Sequence, residues 1–100
     1  MILHTVNKSP FEKNSLESCL KHCKKGSSLL LIEDGVYASL KDTKYSDAIT
    51  TAMNDISIYV LEPDLTARGV QDQLIDGIKS VDYAGFVDLT VEHDKVEAWL

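Results

Sequence analysis

Short apolar runs of strand length recur along the chain, and amphipathic or polar stretches of helix length separate them. Ile2-Leu3-His4-Thr5-Val6 predicts a first strand. Ser28 to Glu33 holds the purest apolar run and predicts a second, fully buried one. Ile56 to Leu61, rich in β-branched and aromatic side chains, predicts a third. Ile78 to Val81 gives a weaker fourth, and Val96 to Leu100 alternates as a fifth strand would at a sheet edge. Continuous apolar runs bounded by breakers suit a parallel sheet covered on both faces, because such strands have no solvent-facing side.

Helix signals lie between these runs. Ser9-Pro10-Phe11-Glu12 has the form of a capping box with Pro at the first helical position, and Asn14-Ser15-Leu16-Glu17 repeats the cap chemistry. From Leu16 the apolar positions run 16, 19, 20, 23, one stripe of an amphipathic helix that Gly26 stops. Glu33-Asp34-Gly35 turns the chain after the second strand, and Tyr45 to Asn54 predicts another helix. Asp64 can cap a short helix ended by Gly69, and Asp82 one that starts at Tyr83. Gln71 to Gly77, polar and flanked by glycines, reads as a surface loop. This alternation implies an α/β fold. Residues 1–100 form a single three-layer domain, with a mostly parallel five-stranded sheet, right-handed crossovers and helices on both faces. The expected strand order is 2-1-3-4-5.

Composition then narrows the partners. Hydrophobic residues make up 44% and charged ones 26%, enough for one core without disulfide staples. Ten Lys and Arg against sixteen Asp and Glu leave a net charge of −6. Nucleic-acid affinity rests on neutralised phosphates, so this balance favours protein partners over direct contact with nucleic acid. The basic knot Lys21 to Lys25 reads as a solvated helix end. Leu29 to Ile32 is the longest unbroken apolar run, far short of the ~20 residues that cross a bilayer. No secretory signal is expected in Met1-Ile2-Leu3-His4, and residues 1–100 read as the mature chain. Two cysteines without an export signal predict free thiols in a reducing cytoplasm.

Ligands in open α/β sheets gather at the carboxyl ends of the strands. Those ends supply Asn7, Lys8 and Ser9, then Glu33, Asp34 and Gly35, then Glu62 and Asp64, then Asp82. Neither G-x-G-x-x-G nor G-x-x-x-x-G-K-[ST] occurs, so no nucleotide cofactor is expected. Glu33 and Asp34 offer an acid/base pair or a cation site, although carboxylates before Gly more often form turns and caps. Cys19, His22 and Cys23 lie within five residues, but a structural zinc site needs four ligands and neither His4 nor His93 is an obvious fourth. No metal is expected. On a helical wheel centred near Leu16, Cys23 falls inside the apolar stripe as a buried hydrophobe, and Cys19 falls at its edge beside Ser15 and His22. A nearby imidazolium favours the thiolate, so Cys19 is the candidate reactive thiol and His22 its candidate support. Trp99 and Leu100 end the chain on a large apolar pair, which points to a docked strand or a subunit contact.

Ile2 to Phe11, Leu31 to Ala38, Asp64-Leu65 with Ala67-Arg68-Gly69, Asp82-Tyr83 with Phe86-Val87 and Leu89-Thr90, and the terminal Ala98-Trp99-Leu100 together resemble the DsrH/TusB family. The blocks span the whole chain. The resemblance implies a small cytoplasmic subunit of a sulfurtransferase (sulfur-relay) complex. Its partners would be DsrE/TusD-like and DsrF/TusC-like subunits in a heterohexamer, with a DsrC/TusE-like exchange protein. Persulfide sulfur would pass between these proteins, toward intracellular sulfur oxidation in the Dsr branch or tRNA wobble 2-thiouridine in the Tus branch. In such complexes the principal sulfur-carrying cysteine belongs to the DsrE/TusD subunit. DsrH of sulfur oxidisers also carries a cysteine in a Ser-Leu-Glu-Ser-Cys-Leu-Lys context, which Ser15 to Lys21 reproduces, so Cys19 matches it as a candidate persulfide acceptor. Enteric TusB lacks that cysteine, and Cys23 falls outside the family pattern. Asp82 to Phe86 also places the chain nearer DsrH. The expected role is thus mainly structural with an accessory thiol. The alternatives are a purely structural interaction module, and an enzyme built on Glu33 and Asp34.

Overall fold

Five strands form, and each lies parallel to its neighbours. The computed structural model describes all 100 residues. The strands are β1 (Ile2–Val6), β2 (Ser28–Leu31), β3 (Ser57–Leu61), β4 (Lys79–Val81) and β5 (Lys95–Trp99). Their order is β4-β3-β2-β1-β5, which corrects the expected 2-1-3-4-5. Burial explains the difference. All four residues of β2 are buried, so it takes the middle of the sheet, whereas β4 and β5 are largely exposed and take the edges.

The order dictates where the helices go. Each step from β1 through β4 moves one strand in the same direction, so right-handed crossovers place their connections on one face. These are α1 (Ser15–His22), a 3₁₀ segment (Glu33–Ser39), α2 (Ser46–Ala52), α3 (Glu62–Ala67) and a 3₁₀ turn (Gln71–Gln73). The last step runs back across the whole sheet, and α4 (Tyr83–Glu92) covers the other face. Alternation along β1 and β2 divides the core accordingly. Val6, Leu29 and Leu31 join the large core with Leu16, Cys19, Val36, Ile49 and Leu65. Leu3 and Leu30 face Leu89 and Phe86 of α4.

Several local expectations shift. The Ser9 box forms a turn instead of a helix: the Ser9 carbonyl accepts from the Glu12 and Lys13 N–H groups, and its Oγ accepts from the Phe11 N–H. Helix α1 starts only at Ser15, after Asn14. Helix α3 begins at Glu62, directly off β3 with Pro63 in its first turn, so Asp64 lies inside it and does not cap it. Asp82 does cap α4, accepting from the Gly85 N–H at 2.8 Å. The 71–77 loop is partly anchored, since Leu40 and Leu74 form an isolated bridge and Ile75 is buried.

Gly35 packs against β1 so closely that an added Cβ would lie 2.1 Å from the Val6 carbonyl oxygen. That oxygen already accepts from the Ile32 N–H, so neither backbone can give way. Gly35→Ala should destabilise the fold by about 1–3 kcal/mol, a fall in Tm on the order of 10 °C by thermal melting. An unchanged Tm would contradict this packing.

Candidate functional site

Helix α1 lies over β1 and β5. Its sequence turns Ser15, Leu16 and Cys19 inward, and these are its buried residues. Below it, His4 is the β1 residue that points up between Val6 and the start of the strand, and it is 2% exposed. The parallel register sets β5 alongside, pairing His4 with Glu97 and Val6 with Trp99. His4, Cys19, Glu97 and Trp99 are thereby gathered from three elements, with Cys23 at the end of α1.

The two thiols exchange the places the wheel gave them. Cys19 is fully buried in the core and Cys23 is half-buried. The wheel ranks positions by sequence alone: the side of α1 that packs on β1 and β5 is that of Ser15, Leu16 and Cys19, and Cys23, the C-cap at φ −66° and ψ 129° where the chain leaves the helix, lies past its last turn. Its N–H still bonds the Cys19 carbonyl at 3.0 Å, and the sulfurs lie 3.8 Å apart. They are free thiols that share one hydrogen bond. The Cys19 thiol is pushed far up by that bond to Cys23, by burial and by the negative charges of Cys23 and Glu97. Cys23 is pulled down because Cys19 donates to it, against the opposing effects of burial and Glu97. Within the pair, Cys23 is shifted toward the thiolate and Cys19 away from it.

His4 was not predicted to take part. The Trp99 Nε1–H donates to its Nδ1 at 3.0 Å, so the neutral ring carries its proton on Nε2. That Nε2–H is buried with no partner. Burial also holds the imidazole below its ordinary pKa; Glu97, 3.7 Å from Nδ1, opposes this, and His22 adds to it. One ring nitrogen and both sulfurs lie within 4.8 Å of one another. Three donors, with the unpartnered ring nitrogen protonated, do not make the four-ligand set of a closed structural zinc site. His22, the expected support, donates from Nδ1 to the Ser18 carbonyl at 2.8 Å and packs against Trp99, its ring centroid 5.3 Å away. It makes no hydrogen bond to either sulfur. His4 could have been suspected from its in-register β-strand position and the terminal Trp99, but only once β5 is known to pair with β1.

Cys23 opens outward into a recess of about 60 Å³ shared with Leu20, Ala52, Asp55 and Ile56. Leu20 and Ala52 also line a larger groove of about 470 Å³ between α1 and α2. The carboxyl edge of the sheet is a separate place. There the Arg68 Nε and Nη2 donate to one Asp34 oxygen at 3.0 and 2.8 Å, and Nη1 donates to the Asp64 carbonyl. Asp64 accepts from the Glu33 N–H at 2.7 Å, holding Glu33 at φ 49°, and Asn7 Nδ2 reaches the Glu33 carboxylate at 3.4 Å. Glu33 and Asp34 are thus engaged in tying three chain segments together. Asp82, Lys8 and Glu62 form no part of that network.

The sign of the His4 effect gives a prediction. An unfolded imidazole takes up its proton near pH 6.5, whereas buried His4 resists protonation. As pH falls through that value the unfolded chain binds more protons and stability is lost. NMR titration should place the His4 midpoint below 6.5, and Glu97→Gln should move it lower still by removing the charge that raises it. A midpoint at or above 6.5 would refute the buried, neutral ring.

Comparison with known proteins bears on the family and the fold. The family model "DsrH like protein" matches residues 8–96. Protein TusB of Shigella flexneri is 37% identical over 98 residues, covering 98% of this chain and all of that protein. Protein TusB of Escherichia coli O81 (strain ED1a) matches over the same span at 37%. The crystal structure of the ychN protein from E. coli shares the fold, with a TM-score of 0.82 at 23% identity over 97% of each chain. With a family match over most of its length and relatives aligned end to end, the chain belongs to the DsrH/TusB family.

Proposed function

We propose that the chain is a subunit of a cytoplasmic sulfurtransferase complex that passes persulfide sulfur between proteins, mainly structural, with an accessory thiol at Cys19. The observation that carries this reading is the thiol pair: Cys19 buried 3.8 Å from the partly exposed Cys23. A thiolate is the form that exchanges sulfur, and a dry neighbour is where sulfane sulfur survives. Family membership supports the relay, and relatives named TusB at 37% identity favour the branch ending in tRNA thiolation. The Ser15 to Lys21 context favours the branch of sulfur oxidation.

Partners would be DsrE/TusD-like and DsrF/TusC-like subunits in a heterohexamer, with a DsrC/TusE-like protein as sulfur exchanger. An apolar strip supports subunit contacts: Tyr83, Val87 and Val91 stand exposed at i, i+4 and i+8 on the outer side of α4, and Val96 and Leu100 are exposed on and after β5. The net charge of −6 suits protein partners better than tRNA itself. No helix is long and apolar enough to cross a membrane.

A purely structural module is the second reading, favoured by the complete burial of Cys19. Two measurements separate the readings. The native mass of the assembly isolated from its own cells should equal a complex with other small subunits, not a lone chain. Incubated with a persulfide donor, the wild-type chain should gain sulfur that Cys19→Ser cannot retain. Undiminished sulfur retention in that variant would leave Cys19 a packing residue.

A further inference from the structure

Cys19 alone explains poorly how sulfur would arrive. It is sealed in the core, and its thiol holds its proton tightly. Three features around it have no role so far: the half-buried Cys23 at 3.8 Å, the recess onto which Cys23 opens, and the buried Nε2–H of His4 with no acceptor.

Building on the relay reading above, we propose that these features form one sulfur-holding site, in which Cys23 receives sulfane sulfur, passes it inward to Cys19, and the His4 Nε2–H donates to the stored sulfur. The recess beside Cys23, about 60 Å³, exceeds the ~30 Å³ share of one water, so one added sulfur atom fits there. The recess adjoins the α1–α2 groove, with Leu20 and Ala52 lining both. Cys23 is also the thiol that its neighbour's S–H stabilises as thiolate. His4 completes the set: a buried donor without a partner costs free energy, and the thiol pair lies within 4.8 Å of a ring nitrogen of His4, so an added sulfur there would supply an acceptor.

The chemistry is two exchanges and needs no oxidant or reductant. In the first, the Cys23 thiolate attacks the outer sulfur of a persulfide R–S–SH. The bond between the two donor sulfurs breaks, its electron pair leaves on R–S⁻, and Cys23–S–SH forms with the outer proton retained. In the second, Cys19 attacks that same outer sulfur. Cys19–S–SH forms, and Cys23 departs carrying the proton that Cys19 gives up. The sulfur ends in the driest position available.

The test uses the full chain with glutathione persulfide as donor, followed by rapid alkylation with iodoacetamide and peptide mass spectrometry. Before any donor is added, a short iodoacetamide pulse should label Cys23 about tenfold faster than Cys19. With donor, wild type should accumulate sulfur on Cys19. Cys23→Ser, checked for native circular dichroism and paralleled by Cys23→Ala, should fill Cys19 about tenfold more slowly or worse. Cys19→Ser should show sulfur on Cys23 that decays quickly. His4→Gln, which keeps an N–H donor, should hold sulfur on Cys19 longer than His4→Phe. First labelling at Cys19, or a wild-type filling rate in both Cys23 variants, would overturn the inference while leaving the relay reading standing. Absence of sulfur from both cysteines in wild type would overturn the relay reading and this inference with it.

Discussion

The parallel pairing of β5 with β1 is the constraint on which the thiol site depends. β1 meets β2 on one side through its main chain, and without β5 its other edge would be open. Closing that edge brings Glu97 beside His4 and Trp99 beside Val6. The Trp99 indole then fixes which nitrogen of His4 carries the proton, and the Leu100 carbonyl accepts from Ser15 Oγ at 3.0 Å, tying the chain end to the start of α1. The N-terminal ammonium and the Asp94 carboxylate pair at the other end of the same two strands. A strand distant in sequence thus positions the helix that carries Cys19 and ends at Cys23.

The same pairing decides the distribution of apolar surface. To reach β1, the chain must leave β4 and return across the sheet, and α4 is the only helix available to cover that face. One helix of ten residues shields Leu3 and Leu30 but leaves the edge-strand residues Val96 and Ala98 uncovered. The helix itself is apolar on both sides, with Leu89 and Phe86 facing the sheet and Tyr83, Val87 and Val91 facing out. A soluble surface helix ordinarily keeps its outer side polar. The exposed apolar strip fits the subunit contact proposed above.

Element identity was legible in the sequence because each strand is a short apolar run and each helix a polar or capped interval. Strand order was harder, because apolar runs report burial but not which neighbour supplies it; only the purity of Leu29-Leu30-Leu31 hinted that β2 is central. Turn chemistry misled at Ser9, where the hydroxyl serves a local turn, and at Asp64, where the carboxylate reaches across to the Glu33 N–H. Short polar side chains offer the same bonds to caps and turns, so sequence spacing cannot separate them. For the candidate site, the wheel singled out Cys19 on α1 and set Cys23 aside as a packing residue. It reversed their burial because a wheel does not know which side of the helix the sheet covers, here the Cys19 side facing β1 and β5, nor that the helix stops before Cys23. His4 could not be found from α1 at all, since its place beside the thiols is set by a strand pairing ninety residues apart in sequence.

That reversal alters what the thiols can do. Taking up sulfane sulfur and keeping it make opposite demands on one cysteine. Uptake needs an exposed thiolate, while retention needs a site that water and competing thiols do not reach. Had Cys19 stood alone in the core, burial and Glu97 would have kept it protonated and out of reach of a donor. Had Cys23 stood alone at the surface, the same charges would have opposed its ionisation with no S–H to offset them. One helical turn apart, the two residues would divide these demands in the proposed relay, the shared hydrogen bond shifting Cys23 down and Cys19 up. The short helix is what permits this: α1 ends at His22, so the second thiol sits half-buried at the helix end while its N–H remains bound to the carbonyl of the first.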